Sequence, residues 1–322
     1  MTAEAEQGPR PEPIGYTLKR LFLGKPLITA ELRSERLSNP VALGVLSPDA
    51  ISSNAYGVEE ILIELLPFAG LAAFTLLLPI TGVVLLILVL VTASYRQVVM
   101  TYTRAGGSYI VARENFGPRV AQVAAAALLI DYVVTVAVQA AAGTVAVVSA
   151  IRPLGPYSLE ITVGVVLLMC YVNLRGLREA GRSFAVPTYF FVIMLGLMIV
   201  TGVVRHVFWG LPTYDAQHIV GAIPVQQGNG LVMGATILVV LRAFANGGSS
   251  LTGVEAISNG VPAFRRPESK NAAATLVWMG VILGTLFMGV QILSHHLGPY
   301  PTEKTTVMSQ LGTAVFGSGT VL

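Results

Sequence analysis

Long apolar runs, separated by short polar connections, dominate the chain from Pro40 onward. Seven segments carry the pattern, roughly Pro40–Pro67, Leu71–Tyr95, Val120–Ile151, Leu159–Leu174, Phe184–Val204, Gly230–Val261 and Ala272–Leu297. A helix needs about 20 apolar residues to cross the hydrocarbon core, and these runs are long enough. Closed barrels would show short alternating strands instead, and no such alternation occurs. The pattern predicts an all-α polytopic membrane protein. The tail Thr305–Leu322 reads as a short amphipathic helix, followed at most by the start of another span.

Composition agrees with that class. Charged residues make up 11% of the 322 residues, against roughly 25% in ordinary soluble domains. Sixteen Lys and Arg residues fall in the N-terminal tail and in the second-to-third, fourth-to-fifth and sixth-to-seventh connections. The other connections hold only Arg152, Arg205 and Lys304. Positive charge is retained on the cytoplasmic side, so this asymmetry predicts a cytoplasmic N-terminus in an inner membrane. It also accounts for the net charge of +3 without nucleic acid. Residues 1–39 form a polar tail with no apolar signal-peptide core. Within it, Tyr16–Leu37 is either an amphipathic helix on the inner leaflet or a solvated lead-in carrying positive charge. Cys170 is the single cysteine, and four scattered histidines offer no metal-ligand spacing. No nucleophile–base pair or cofactor fingerprint appears, so the reading includes neither an enzyme nor a cofactor.

Ionisable residues inside the spans are the informative exceptions, because each costs at least about 2.5–3.5 kcal/mol at membrane depth. The first span holds Asp49, Glu59, Glu60 and Glu64, the third Asp131, and the sixth Arg242 and Glu255. The first span reads LSPDAISSNAYGVEEIL, in which Pro48, Ser52, Ser53, Asn54 and Gly57 oppose a continuous helix. The sixth reads LRAFANGGSSLTGVEAISNGVP, with Gly247, Gly248, Ser249, Ser250 and Gly253 at its middle. Irregular backbone at that depth is tolerated where it lines a cavity, and paired interruptions point to a transporter binding site.

The two interruptions resemble each other: Gly57-Val58-Glu59-Glu60-Ile61 in one, Gly253-Val254-Glu255-Ala256-Ile257 in the other. They lie five spans apart, and an odd offset inverts the second copy. An inverted five-helix repeat is expected, with its first copy at 40–204 and a partial second at 230–322. Asp49, Asp131 and Glu255 are the anionic candidates near the middle. Arg242 either neutralises one of them or braces neighbouring helices, and Glu59, Glu60 and Glu64 fall where the outer water could reach them. Unwound carbonyls and the oxygens of Ser52, Ser53, Asn54, Tyr56, Ser249, Ser250 and Thr252 favour a desolvated cation. The carboxylates suit proton coupling. The Gly106-Gly107 pair lacks the lysine and strand of a phosphate loop and reads as a tight turn.

These residues carry a resemblance to a family. The motifs LKRLFLGKPL, ELRSERLSNPVAL, SPDAISSNAYGVEEIL, TRAGGSYIVARENFG, LLIDYVVTVAV, VNLRGLREAGR and LRAFANGGSSLTGVEAISNGVPAF span about residues 18–312. With them the chain resembles the amino acid–polyamine–organocation superfamily, and within it the KUP-type potassium–proton symporters of the KimA group. The resemblance implies a LeuT-like fold of ten core spans and alternating-access uptake of potassium with protons. It implies ion ligands or gate residues at Asp49, Tyr56, Asp131, Tyr132, Thr135, Thr252 and Glu255, with potassium as the metal at the substrate site. Amino acid permeases of the superfamily carry a glycine-rich nest in the first span and a lysine in the fifth. Here an acid stands in the first, and Phe184–Val204 has no lysine. A proton-coupled permease for a small amino acid remains the alternative, and a membrane scaffold or sensor on the same core the second. The ten-span fold makes this chain an expected N-terminal fragment, reaching the start of the eighth span. A cytoplasmic regulatory domain and a homodimer contact would follow in the full-length protein.

Overall fold

The computed structural model describes residues 36–174, 177–214, 221–302 and 305–317. Most of the lead-in Tyr16–Leu37 and any start of an eighth span lie outside the described residues. Twelve α-helices run through the described residues, with no strand beyond isolated bridges.

The first span comes in pieces. Helix α1 (Asn39–Leu46) begins with Pro40, whose missing N–H costs nothing in the first turn. Pro48 cannot continue it and opens the short α2 (Pro48–Ser52). A 3-10 turn at Ser53–Ala55 and the non-helical Tyr56 separate α2 from α3 (Gly57–Ala69). The next helices are unbroken: α4 (Ala72–Thr101), the short connecting α5 (Gly107–Phe116), α6 (Pro118–Ala150), α7 (Ser158–Leu174) and α8 (Leu177–Phe208). Then come α9 (Ile237–Gly248), the four-residue α10 (Ala256–Asn259), α11 (Glu268–Leu297) and α12 (Val307–Phe316). Six stretches are long and apolar enough to cross a membrane: helices α4, α6 and α11, the stretch Arg152–Leu174 that ends in α7, Phe184–Phe208 of α8, and the interrupted segment from Ile237 to Asn259. With the interrupted segment 39–69, they make an all-α polytopic membrane protein.

The sixth apolar run is shorter as a helix than its hydropathy predicts. Residues from Gly230 to Ala235 form an irregular loop, with Met233 and Gly234 both at positive φ. Its backbone groups pair within the loop instead: Gly230 and Gly234 exchange N–H···O bonds in both directions, and so do Val232 and Ala235. The residues just before it are tied to the end of α3, Gln226 N–H donating to the Leu66 carbonyl and Gly228 N–H to that of Phe68. Thr236 then caps α9 by accepting from Val239 N–H.

Helices α3 and α9 pack together along the buried side chains Ile61, Leu65, Val239 and Ala243. Helix α4 lies along α11, and α1 along α8, where Thr188 and Tyr189 donate to the carbonyls of Gly44 and Pro40 at 3.0 and 2.8 Å. By contrast, α6 and α7 leave apolar side chains such as Leu129, Ile130 and Val133 at least 65% exposed. An apolar surface of that extent is compatible with lipid or with further protein, not with water. Helix α12 is no surface helix: Val307, Leu311, Ala314 and Val315 are all buried in the core. Tyr214 donates to its Gln310 carbonyl at 2.7 Å, and Arg205 donates to the Val315 carbonyl at its far end.

Candidate cation site

The two interruptions meet. A methyl group built on Gly253 would lie 2.6 Å from a carboxylate oxygen of Asp49, and one on Gly57 would lie 2.2 Å from the Ser250 hydroxyl. Each interruption therefore sets a bare α-carbon against a polar group of the other. Gly253 needs to be glycine for a second reason, its φ of +85°.

Around Asp49 the oxygens and their donors are local products of the unwound chain. Ser52 and Ser53 hydroxyls donate to the Asp49 carbonyl, both at 3.1 Å, and the Tyr56 phenol donates to Ser53 Oγ at 3.1 Å. Asn54 donates its amide to the Ile51 carbonyl at 2.9 Å. In the second interruption Thr252, in extended conformation, donates to the Ser249 carbonyl at 2.9 Å. Several polar atoms here are buried without a hydrogen-bond partner among the described residues: Ser47 Oγ, Asn54 Oδ1, Ser250 Oγ, Glu255 Oε1 and Asn259 Oδ1. Buried polar atoms are rarely left unpaired, so each of these is expected to meet water or a bound polar group.

Helix α6 closes the third side. Asp131, Thr135 and Gln139 recur every fourth residue, which puts them on one face. They are half-buried, whereas Val133, Val134, Val136 and Val138 are exposed. Gln139 Nε2 donates to the Asp49 carboxylate and to the Asp49 carbonyl, the latter at 3.2 Å. Tyr132, beside Asp131, accepts from the Asn259 amide at the end of α10. Asp49 lies close enough to both Asp131 and Glu255 for the three to repel one another when ionised. Tyr132 feels all three. Of the residues singled out in the sequence, Asp49, Tyr56, Asp131, Tyr132, Thr252 and Glu255 thus border one region, with Thr135 on the same face of α6. Gln139 escaped the sequence reading. Its signal was the spacing from Asp131, since a lone glutamine in an apolar run has no charge to draw attention.

One assignment changes. Gly247 and Gly248 are not part of the irregular backbone but the last residues of α9. Gly247 is small for packing: a methyl there would lie 2.6 Å from Ile61, so it allows α9 to approach α3. Of the two readings of Arg242, the bracing one holds: it links α9 to α3 and neutralises none of the three central carboxylates. Its guanidinium reaches Glu64 at 3.4 Å, and Asn246 donates to the same oxygen at 3.1 Å. Glu59 is also spoken for, accepting from Val307 N–H at the start of α12 at 3.1 Å. Among the described residues no ion pair involves Asp49, Asp131 or Glu255. Nor do three His, Cys, Asp or Glu side chains gather there as a multidentate metal cluster. With no cationic side chain beside the three carboxylates among the described residues, their charge has to be balanced by bound cations, protons or water.

Two membrane-crossing segments are thus interrupted where they meet, with acids and hydroxyls at the junction. Comparison with known proteins shows the family to which such a chain belongs. The family described as amino acid permease matches residues 46–318, and the chain belongs to that family. It is also 41% identical over 302 residues, 94% of its length, to the potassium transporter KimA of Bacillus subtilis (strain 168). The chain spans about half the length of that relative, 48% of it.

Proposed function

We propose that this chain forms the ion-binding part of a proton-coupled potassium transporter, with the cation held between the two interrupted spans and α6. The observation that carries the reading is the junction itself. Asp49 faces Gly253 across the two breaks and shares its surroundings with Asp131 and Glu255, while Ser, Thr, Tyr and backbone oxygens stand beside them. A desolvated monovalent cation needs several hard oxygens to replace its hydration shell and limited negative charge, since it must also leave. An amino acid's carboxylate would meet Asp49 at this junction, an unfavourable encounter. Similarity to a protein named a potassium transporter supports the same choice of substrate. Protons are the coupling partner in this reading because the carboxylates are not ion-paired among the described residues, so a proton and a cation compete for the same charge.

The reading places the protein in a bacterial cell membrane with its N-terminus in the cytoplasm, on the strength of the Lys and Arg asymmetry. It treats residues 40–204 and 230–322 as inverted copies, which accounts for the near-reciprocal contacts of Gly57 with Ser250 and Gly253 with Asp49. Alternating access is then a rocking of one set of helices against the other around a fixed site.

The test is growth of a potassium-uptake-deficient bacterium at low potassium, expressing the full-length gene or its Asp49→Asn variant. Rescue by the parent and not by the variant is expected. Absence of rescue despite membrane expression would turn the assignment to amino acid uptake, to be assayed next with labelled amino acids.

A further inference from the structure

Three side-chain donors converge on one backbone oxygen in the first interruption: the hydroxyls of Ser52 and Ser53 and the amide of Gln139 all reach the Asp49 carbonyl. The Gln139 amide also takes the Asp49 carboxylate. The carbonyl can only accept, and so can the carboxylate while it is ionised, so the amide is oriented with its nitrogen toward them. Carbonyl and carboxylate of one residue, bridged by one positively polarised N–H₂ group, are the same pair of oxygens that a cation bound at Asp49 would use.

The three donors differ in how they can respond. A serine hydroxyl turns about its C–O bond and presents a lone pair with no change of position. An amide nitrogen has no lone pair to offer. Gln139 must turn over, bringing Oε1 to the front, or swing out of the site. Its hydrogen bond to a carboxylate is of the stronger, charge-assisted kind.

We infer that Gln139 is an internal competitor for the transported cation: its Nε2 holds the two oxygens of Asp49, and the cation binds by displacing it. The inference rests on the reading of Asp49 as a cation ligand. On this account Gln139 weakens cation binding, which favours release, and it shields the Asp49 charge whenever the cation is elsewhere. A glutamine acting simply as a ligand through Oε1, or as a packing residue, would have the opposite effect or none.

The experiment uses the purified full-length protein reconstituted into liposomes, with potassium uptake measured against potassium concentration at neutral and alkaline pH. In Gln139→Leu the volume is roughly kept and the donor lost. Its KM for potassium is expected to fall about tenfold at alkaline pH, the worth of a hydrogen bond to a charged group, with the maximal rate within a few-fold of the parent. A smaller fall is expected at neutral pH, because loss of the donor also favours the protonated carboxyl, which competes with the cation. An unchanged or raised KM overturns the inference. Should Gln139→Leu fail to reconstitute, Gln139→Ser decides by the same criterion, since the shorter side chain also relinquishes the bridge. Asp49→Asn keeps the two questions apart. Wild-type uptake in that variant overturns Asp49 as a ligand and the inference with it. Lost uptake, together with an unchanged KM in the Gln139 variants, overturns the competitor alone.

Discussion

The α-carbon of Gly253 lies against the carboxylate of Asp49, so close that a methyl group there would approach a carboxylate oxygen to 2.6 Å. These residues are 204 positions apart, and each belongs to a different interrupted helix. The contact is possible because both interruptions unwind at the same depth and because glycine tolerates the left-handed backbone required, at φ +85°.

Gly253→Ala should therefore act on both backbone and site. Strain at positive φ and the clash with Asp49 are each worth on the order of 1 kcal/mol or more. Uptake by the full-length protein should fall at least tenfold, with a lower melting temperature in detergent. Gly248→Ala is the control. Nothing lies within 4 Å of a methyl group at Gly248, so that variant should melt and transport like the parent.

Gly57 and Ser250 should be energetically coupled. An alanine at position 57 would meet the Ser250 hydroxyl at 2.2 Å, with the ring of Phe287 at 2.9 Å. Shortening Ser250 to glycine removes the nearer obstacle. A double-mutant cycle of Gly57→Ala and Ser250→Gly, read by thermal unfolding, should give a favourable coupling of about 0.5–3 kcal/mol. Strict additivity would mean that the breaks do not touch.

Arg242 and Asp49 should separate cleanly. The arginine meets Glu64 at 3.4 Å and makes no ion pair with Asp49, so it stands outside the cation site. Arg242→Ala should leave potassium uptake within about twofold of the parent, whereas Asp49→Asn abolishes it. A transport loss in Arg242→Ala as deep as that of Asp49→Asn would return the arginine to the site.

The helix α12 depends on one glutamine. Gln310 Nε2 donates to the Tyr300 carbonyl at 2.6 Å and Oε1 accepts from Tyr300 N–H at 3.0 Å. Gln310→Leu keeps the bulk and removes both of these hydrogen bonds, at about 0.5–1.5 kcal/mol each. Melting should drop by several degrees, and proteolysis between residues 300 and 317 should become faster. Unchanged melting would show that water or another group satisfies Tyr300.

The chain's apolar runs were enough to place the spans, because a membrane-crossing helix needs length and freedom from charge, and both are properties of consecutive residues. The interruption at Ser53–Tyr56 was equally legible, since Pro48, paired serines and Gly57 disfavour a helix locally wherever they are. The carboxylates at Asp49, Asp131 and Glu255 stood out because charge at membrane depth is costly.

Long-range contacts decided the rest. Hydropathy alone extended the sixth span back to Gly230, but hydrogen bonds between Gly230 and Gly234 and between Val232 and Ala235 fold that stretch into a loop. Gly247 looked like part of a break and is instead a small residue at a helix crossing, a role visible only with Ile61 in place. Arg242 could have served any nearby acid until folding put Glu64 beside it. Gln139 is the sharpest case. A neutral amide leaves no trace in charge or hydropathy, and it gains meaning only when α6 brings it onto Asp49, 90 residues away. Local chemistry and solvent preference are written along the chain; which polar groups satisfy one another depends on distances that only the packed helices set.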